Sequence, residues 1–209
     1  MNNEYAGMPC ARFAEELASR TSVPGGGAAA AYAAAMGAAL AQMVGNFTAG
    51  KEKYARFEGD IERINAKAQA IRVRLVQLMD EDAEAFLPLA RAYGIPKDDP
   101  SRGEALQAAT KGAIACPLEV MRQCCEVAGL LEELLEKGSA MLASDVGCAA
   151  ALCRGALESA AMNVFVNTAA LADAAYADGI DAECDAMLAE HLPRLAAVAE
   201  AAAGKIRRA

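Results

Sequence analysis

A carboxylate falls on the apolar face of a long predicted helix. Leu78 and Phe86 mark this face, and Asp82 lies four residues from each, so the three side chains point the same way. The same spacing predicts that Asp80 and Glu81 point elsewhere. Burial of a carboxylate is unfavourable unless it is paired, and desolvation raises its pKa, so Asp82 is a candidate for acid–base chemistry. The alternative is a structural role, as a buried helix cap or in a salt bridge to Lys or Arg.

Polar residues also lie inside a second apolar helix. Ser159, Asn163 and Asn167 are four residues apart and therefore share one helical face. The two amides need hydrogen-bond partners, which either a neighbouring helix or a polar ligand would supply. Asp145 follows Ser144 where this helix is predicted to start, a position typical of capping residues.

A third candidate is a glycine-rich segment before an alanine-rich stretch. Pro24 precedes Gly25, Gly26 and Gly27, and no side chain on the glycines would keep a ligand or a second backbone away. The stretch from Ala28 has helical composition, and the first N–H groups of a helix are free and carry partial positive charge. The segment therefore predicts either a ligand-binding loop or a tight turn between closely packed helices.

Six helices account for most of the chain, and no segment alternates as a half-buried strand would. The predicted ranges are 9–20, 28–48, 54–93, 101–137, 144–173 and 181–208. Ser101 with Glu104 predicts a capping box for the fourth helix, and Asp181, after Gly179, a cap for the sixth. No long linker interrupts the pattern, so we expect one domain over residues 1–209, an all-α bundle of about six helices, several of them long.

Charge and composition exclude several classes of partner. A net charge of −8 argues against nucleic acid, whose binding needs a basic surface. The uncharged stretch between Arg20 and Lys51 could cross a bilayer by length, but its Ala and Gly gain little from lipid, so a buried helix is predicted. The chain starts without a signal-peptide pattern, and its seven cysteines show no paired CxxC spacing. We therefore expect a cytoplasmic protein with reduced thiols, and no metal, since His191 is the only histidine.

The motifs together resemble the formiminotetrahydrofolate cyclodeaminase and methenyltetrahydrofolate cyclohydrolase family. They keep their order over about residues 12 to 175, and their combination is specific although each alone is weak. Four stretches carry the resemblance: Pro-Gly-Gly-Gly at 24–27 with the helix after it, Asp-Glu-Asp-Ala-Glu-Ala-Phe at 80–86 with Pro-Lys at 96–97, Ser-Asp at 144–145, and Asn-Val-x-x-Asn in 163–167 with Leu-x-Asp at 171–173.

The resemblance implies an all-α fold, a homodimer, and a folate site at or near the subunit interface, with no cofactor besides the folate substrate. It implies Asp82 and Asp145 as catalytic carboxylates. It implies that the substrate is bound by the residues Pro24, Gly25, Gly26, Gly27, Lys51, Phe86, Lys97, Asn163 and Asn167. The asparagines suit the pterin, and the lysines or the free helix N–H groups suit the anionic glutamate tail.

Two activities follow from the resemblance, and a third class stays open. No formiminotransferase domain accompanies these motifs, which favours hydrolysis of 5,10-methenyltetrahydrofolate over the cyclodeaminase reaction, in which ammonia leaves. Both reactions pass through a tetrahedral carbon and need a carboxylate near a cation. The third is a non-catalytic helical oligomerisation module, in which Asp82 and the asparagines would be interface contacts.

Overall fold

The computed structural model of the protein describes residues 4–207 and contains no strand in that range. It confirms the predicted all-α bundle of six helices. The helices are α1 (Cys10–Leu17), α2 (Gly26–Thr48), α3 (Glu58–Tyr93), α4 (Arg102–Lys137), α5 (Ala143–Thr168) and α6 (Ala174–Ile206). Two short 3₁₀ segments, Glu52–Phe57 and Ala140–Leu142, precede α3 and α5.

Helix α4 is the centre of the bundle, since it contacts α2, α3, α5 and α6. The outer helices contact one another in the order α3, α2, α5, α6. Large buried side chains from the long helices fill the core, and among the largest are Ile61, Ile64, Leu75, Leu78, Ile114, Met121, Leu131, Leu134, Leu157 and Leu195. Helix α2 contributes mainly alanines to this core, so its neighbours can approach closely.

Two glycines show how closely α2 is packed. A Cβ on Gly37 would overlap Cys153 Sγ on α5, and a Cβ on Gly45 would overlap Asn65 Oδ1 on α3. Helix α2 begins beside the later part of α3 and of α5 and ends beside their first turns, so it is antiparallel to both. The start of α2 therefore lies between the face of α3 that carries Asp82 and the face of α5 that carries Asn163.

The predicted boundary between the last two helices is wrong. Helix α5 ends at Thr168, and α6 begins at Ala174, with Asp173 as its N-cap accepting a hydrogen bond from Tyr176 N at 3.2 Å. Gly179 lies inside α6. Asp181 caps nothing; its Oδ1 accepts a hydrogen bond from Thr168 Oγ1 at 2.7 Å.

The capping box predicted for the fourth helix is also wrong. The Ser101 side chain makes no capping bond to α4, because its backbone is helical rather than in the extended conformation typical of an N-cap. Its hydroxyl donates to Asp99 Oδ1 at 2.7 Å instead. The remaining boundaries differ by smaller amounts. Helix α1 ends three residues early, α2 starts two residues early at Gly26, and the predicted start of α3 is a 3₁₀ segment. Helix α6 ends at Ile206, two residues before the predicted end at Arg208, and Arg208 itself lies outside the described residues.

The predictions of reduced core thiols and of a buried apolar helix can be compared with the structure. All seven cysteines are free, but Cys10 and Cys148 are exposed, so the expectation of core thiols holds only for most of them. Both α2 and the segment Ala140–Thr168, which contains α5, are long and apolar enough to cross a membrane by composition. More than half of the apolar window in α2 lies inside the protein, as expected for the core helix of a bundle.

Candidate active site

The N-cap residue of α2 is a glycine, so it offers no capping side chain of its own. Gly25 is the N-cap in an extended conformation, and the first helical bond runs from Ala29 N to Gly25 O at 3.1 Å. The N–H groups of Gly26, Gly27 and Ala28 therefore have no acceptor within the helix. Pro24 is buried just before the N-cap. The glycine-rich segment is thus a close-packed turn, as one alternative had it. It also presents free backbone N–H donors, which the other alternative, a ligand-binding loop, requires.

Asp82 meets this helix end from α3. A Cβ on Gly27 would overlap Asp82 Oδ1 and lie 2.6 Å from Oδ2, so only glycine allows the carboxylate to come so near. The Ala28 N–H hydrogen bonds to the carboxylate and lowers its pKa, but burial has the larger effect and raises the pKa of Asp82 to about 6. The predicted rise in pKa is therefore confirmed.

The structure also tests the structural alternatives for Asp82. No Lys or Arg in the described range is among the groups that shift its pKa, so the salt-bridge alternative finds no support. The carboxylate does cap a helix, but the helix is α2 rather than its own. Cys116 on α4 is buried nearby, and burial followed by the charge of Asp82 raises the pKa of its thiol to about 12. The carboxylate thus has a neutral thiol and a backbone donor as neighbours.

Asn163 on α5 lies beside the same helix end, and Asn167 lies one turn further along α5. A Cβ on Gly26 would lie 3.0 Å from Asn163 Nδ2 and 3.1 Å from its Oδ1. Each amide donates to a carbonyl one turn back in α5, Asn163 Nδ2 to Ser159 O at 2.8 Å and Asn167 Nδ2 to Asn163 O at 2.7 Å. The partner is therefore their own helix, not a neighbouring one as one alternative had it. Both side chains are half-buried, and within residues 4–207 neither Oδ1 accepts a hydrogen bond.

A groove continues from this helix end along the surface of α2 and α5. Its volume is about 500 Å³. Small residues dominate its walls, which are formed by Gly26, Ala29, Ala30, Ala33, Ala151, Leu152, Gly155, Ala156, Ser159, Met162 and Asn163. The free donors of α2, the asparagine face and an open apolar groove therefore adjoin one another.

The structure does not bring all the predicted site residues together within one subunit. Phe86 is half-buried one helical turn beyond Asp82, whose carboxylate reaches the start of α2. Asp145 lies in the first turn of α5 rather than at its N-cap, which is Leu142, so the predicted capping position is wrong. It is separated from Asn163 by 18 residues, roughly 27 Å of helix. Lys51 follows the far end of α2. Lys97 is exposed in the connection after α3, beyond the end that carries Asp82.

Sequence reasoning missed Asp80. It is buried rather than pointing away, and its Oδ1 accepts hydrogen bonds from Tyr5 N at 2.7 Å and Ala6 N at 3.3 Å. No local signal marks this role, because the donors lie 74 and 75 residues away in the chain. Glu81, by contrast, forms an ion pair with Arg74, as a residue outside the apolar face would.

The sequence profile of formiminotransferase-cyclodeaminase matches residues 9–186. The chain belongs to this family. The resemblance drawn from the motifs is thereby confirmed, and with it the all-α fold that the resemblance implied.

Individual relatives of the family give a finer comparison. The chain is 41% identical over 182 residues to a methenyltetrahydrofolate cyclohydrolase from Methylorubrum extorquens, covering 85% of this chain and 88% of that protein. It is 33% identical over 186 residues to the formimidoyltransferase-cyclodeaminase of Sus scrofa, covering 87% of this chain but 34% of that protein. The chain thus spans about a third of the pig protein.

A solved structure of the family has the same fold. The crystal structure of formiminotetrahydrofolate cyclodeaminase from Thermotoga maritima superposes with a TM-score of 0.82 at 31% sequence identity. The superposition covers 97% of this chain and 98% of that one. The family's fold therefore accounts for the whole described bundle.

The raised pKa of Asp82 predicts a stability change with pH. Folded Asp82 keeps its proton up to about pH 6, whereas the ordinary carboxyl value is 3.8, so its contribution to folding stability falls as pH rises through this window. Asp82→Asn does not titrate. As pH rises from acid to neutral, the free energy of unfolding of the variant should increase relative to that of wild type by up to ~2–3 kcal/mol. Urea unfolding at both pH values measures this gain, and a difference that does not change with pH would contradict it.

Proposed function

We propose that this protein hydrolyses 5,10-methenyltetrahydrofolate to 10-formyltetrahydrofolate. The observation that carries the proposal is Asp82, a mostly buried carboxylate of raised pKa that lies beside the free N–H groups of α2 and pairs with no cation among residues 4–207. Such a carboxylate suits a cationic substrate and a proton transfer near neutral pH. The name of the Methylorubrum extorquens relative supports the same reaction.

The chemistry assigns a role to each group at this helix end. The methenyl carbon between N5 and N10 is part of a cationic amidinium, which the Asp82 carboxylate would stabilise. Water adds to that carbon and gives a proton to the carboxylate, forming a tetrahedral carbinolamine. The bond from this carbon to N5 then breaks as the carboxylate passes its proton to N5. The carbinolamine hydroxyl loses its own proton to solvent and becomes the carbonyl of the formyl group on N10, so one proton is released overall. The free Oδ1 atoms of Asn163 and Asn167 would accept hydrogen bonds from the pterin.

The cyclodeaminase reaction is the second candidate. The Thermotoga maritima protein that shares this fold is named for it, and there N10 would attack and ammonia would leave from a similar tetrahedral carbon. Asp82 could serve either reaction, since both need proton transfer beside a cation. The higher identity to the named cyclohydrolase, 41% against 31%, favours hydrolysis.

We also propose that the protein is a homodimer paired through α2. Residues every three or four positions along α2 form a half-exposed or exposed seam that no charge interrupts. The seam consists of Gly26, Ala29, Ala33, Met36, Leu40, Met43 and Phe47. Exposed Met162 and Val166 extend it onto α5, at 63% and 66% accessibility. A second copy would cover this apolar face better than water does.

An antiparallel pairing of the two α2 helices would complete the site. A two-fold axis across α2 would bring the end of α2 in one subunit to the start of α2 in the other. Asp145 and Lys51 lie at the end opposite Asp82, so the partner's Asp145 and the partner's Lys51 would approach Asp82 and the groove. The two predicted residues that one subunit leaves distant would then serve a shared site.

If the site is shared between subunits, mixing two impaired variants should restore part of the activity. Asp82→Asn and Asp145→Asn homodimers should each be impaired. After mixing and subunit exchange, half of the dimers are mixed and each has one intact site, so activity should recover to about a quarter of wild type. Activity that stays at the level of the separate variants after proven exchange would contradict the shared site. A stable wild-type monomer at micromolar concentration by sedimentation would contradict the dimer itself.

The proposal also covers the ligands, the other partners and the cellular location of the protein. The substrate is a folate, and no cofactor or metal takes part. We propose a cytoplasmic protein without nucleic-acid or membrane partners, because its net charge is −8 and its apolar face fits a second copy.

Parallel assays test the reaction. Loss of methenyl absorbance above the uncatalysed rate is expected, with slower ammonia release from formiminotetrahydrofolate. Faster ammonia release would assign the cyclodeaminase reaction instead. Absence of both activities, together with no thermal stabilisation by saturating folates, would favour the non-catalytic helical module.

A further inference from the structure

The N-terminal segment before α1 is attached to the helix that carries Asp82. Asp80 accepts hydrogen bonds from the backbone N–H groups of Tyr5 and Ala6, and the residue is only 7% exposed. The Tyr5 ring packs edge-on against Phe13 at 6.4 Å between ring centroids, and Phe13 packs against Tyr32 on α2 at 5.7 Å. The segment is thus fixed to both α3 and α2.

This attachment lies against the base of the glycine-rich segment. Tyr5, Val23, Asp80 and Ala83 line one cavity of about 300 Å³. Val23 immediately precedes Pro24 and the three glycines, so Tyr5 and the turn into α2 border the same cavity. A change in the position of Tyr5 would change the shape of this cavity on the side that Val23 borders.

The two carboxylates of this α3 turn hold opposite ends of one stretch of chain. Asp80 binds the N–H groups at residues 5 and 6, and Asp82 receives the N–H of Ala28. Their positions, two residues apart, point them to different sides of α3. Everything between these attachments, including α1 and the glycine-rich segment, is therefore fixed at both ends by a single helical turn.

We propose that Asp80 is a positioning residue, which holds the N-terminal segment so that the glycine-rich segment keeps its free N–H groups aligned beside Asp82. Asp80 acts through the N-terminal segment and does not itself contact the substrate. The inference rests on the proposed function for its kinetic consequence, but the positioning is a property of the protein without ligand.

Kinetics of Asp80→Ala test the consequence for the reaction. Because the N–H groups that bind substrate would lose alignment while Asp82 remains, KM should rise about tenfold and kcat should change less. Asp80→Asn keeps an acceptor oxygen and should retain a KM close to wild type. Glu84→Ala is the matched control, since Glu84 lines the same cavity but is exposed and accepts no hydrogen bond from the described residues. An unchanged KM in Asp80→Ala, or an equal rise in the control, would overturn the proposal.

Hydrogen exchange separates this inference from the proposed function. The amides of Ala28 and Ala29 should exchange at least several-fold faster in Asp80→Ala than in wild type or Glu84→Ala, whether or not any folate is turned over. Tyr5→Ala, which keeps the N–H donor but loses the ring contact, should show a smaller increase and provides the test if Asp80→Ala does not fold. Equal exchange in all folded variants would overturn the inference even if wild type hydrolyses the folate.

Discussion

Replacing Asp82 with asparagine is expected to lower kcat for methenyltetrahydrofolate by about 10²–10⁴-fold. The substitution keeps the shape of the side chain beside Gly27 but removes both its charge and its basicity. The proton from water then has no carboxylate to accept it, and the cationic carbon loses its stabilising charge. Steady-state kinetics on the purified variant, with the uncatalysed rate subtracted, measure the loss.

Glu81→Gln is the matched control for this prediction. Glu81 is the adjacent acidic residue, but it is ion-paired with Arg74 rather than placed against α2. Its loss should leave kcat within about twofold of wild type, since no reacting group depends on it. Full activity in Asp82→Asn, on either folate substrate, would show that the central residue assignment is wrong.

The second large effect is expected from Gly27→Ala. The added Cβ would overlap Asp82 Oδ1 and lie 2.5 Å from Cγ, so the carboxylate must move away from the start of α2. Misplacement of a catalytic group by about 1 Å can lower the rate about 10²-fold, and we expect kcat/KM to fall by at least that amount. The helix content by circular dichroism should stay close to wild type, because alanine favours helix over glycine.

Gly25→Ala separates this steric effect from a general effect on the glycine-rich segment. A Cβ added to Gly25 would meet no heavy atom within 4 Å from the rest of the described chain, its two neighbours aside. The Gly25 φ of −129° is extended backbone that any residue adopts. The resemblance implies Gly25 for substrate binding, so only the loss caused by displacing Asp82 should be absent, and kcat/KM should fall less than in Gly27→Ala. Equal losses in the two variants would mean that the contact between Gly27 and Asp82 is not what the activity depends on.

Features set by local spacing were predictable from the sequence. The side chain of Asp82 shares a face with Leu78 and Phe86 because residues four apart in a helix align, and its burial and raised pKa follow from that face. The asparagine face of α5 was predictable for the same reason. The all-α fold followed from composition and period, since no segment alternated as a strand.

Features set by distant partners were not predictable. Asp80 is buried by the N-terminal segment, about 75 residues away. The capping box at Ser101 is absent because the Ser101 backbone is helical, and its hydroxyl donates to Asp99 instead. The break between α5 and α6 contains neither Gly nor Pro, and the only nearby glycine, Gly179, lies inside a helix that its neighbours stabilise. The distance between Asp145 and Asp82 likewise depends on how the helices pack.

The pH dependence of kcat/KM for methenyltetrahydrofolate hydrolysis tests the central claim most directly. If ionised Asp82 accepts the proton from water, wild-type activity should fall as pH drops, with its midpoint near 6, the value to which burial raises the Asp82 pKa. The residual activity of Asp82→Asn should lack that midpoint. A wild-type profile with no inflection near pH 6, or the same inflection in Asp82→Asn, would contradict the assignment of Asp82 as the proton acceptor.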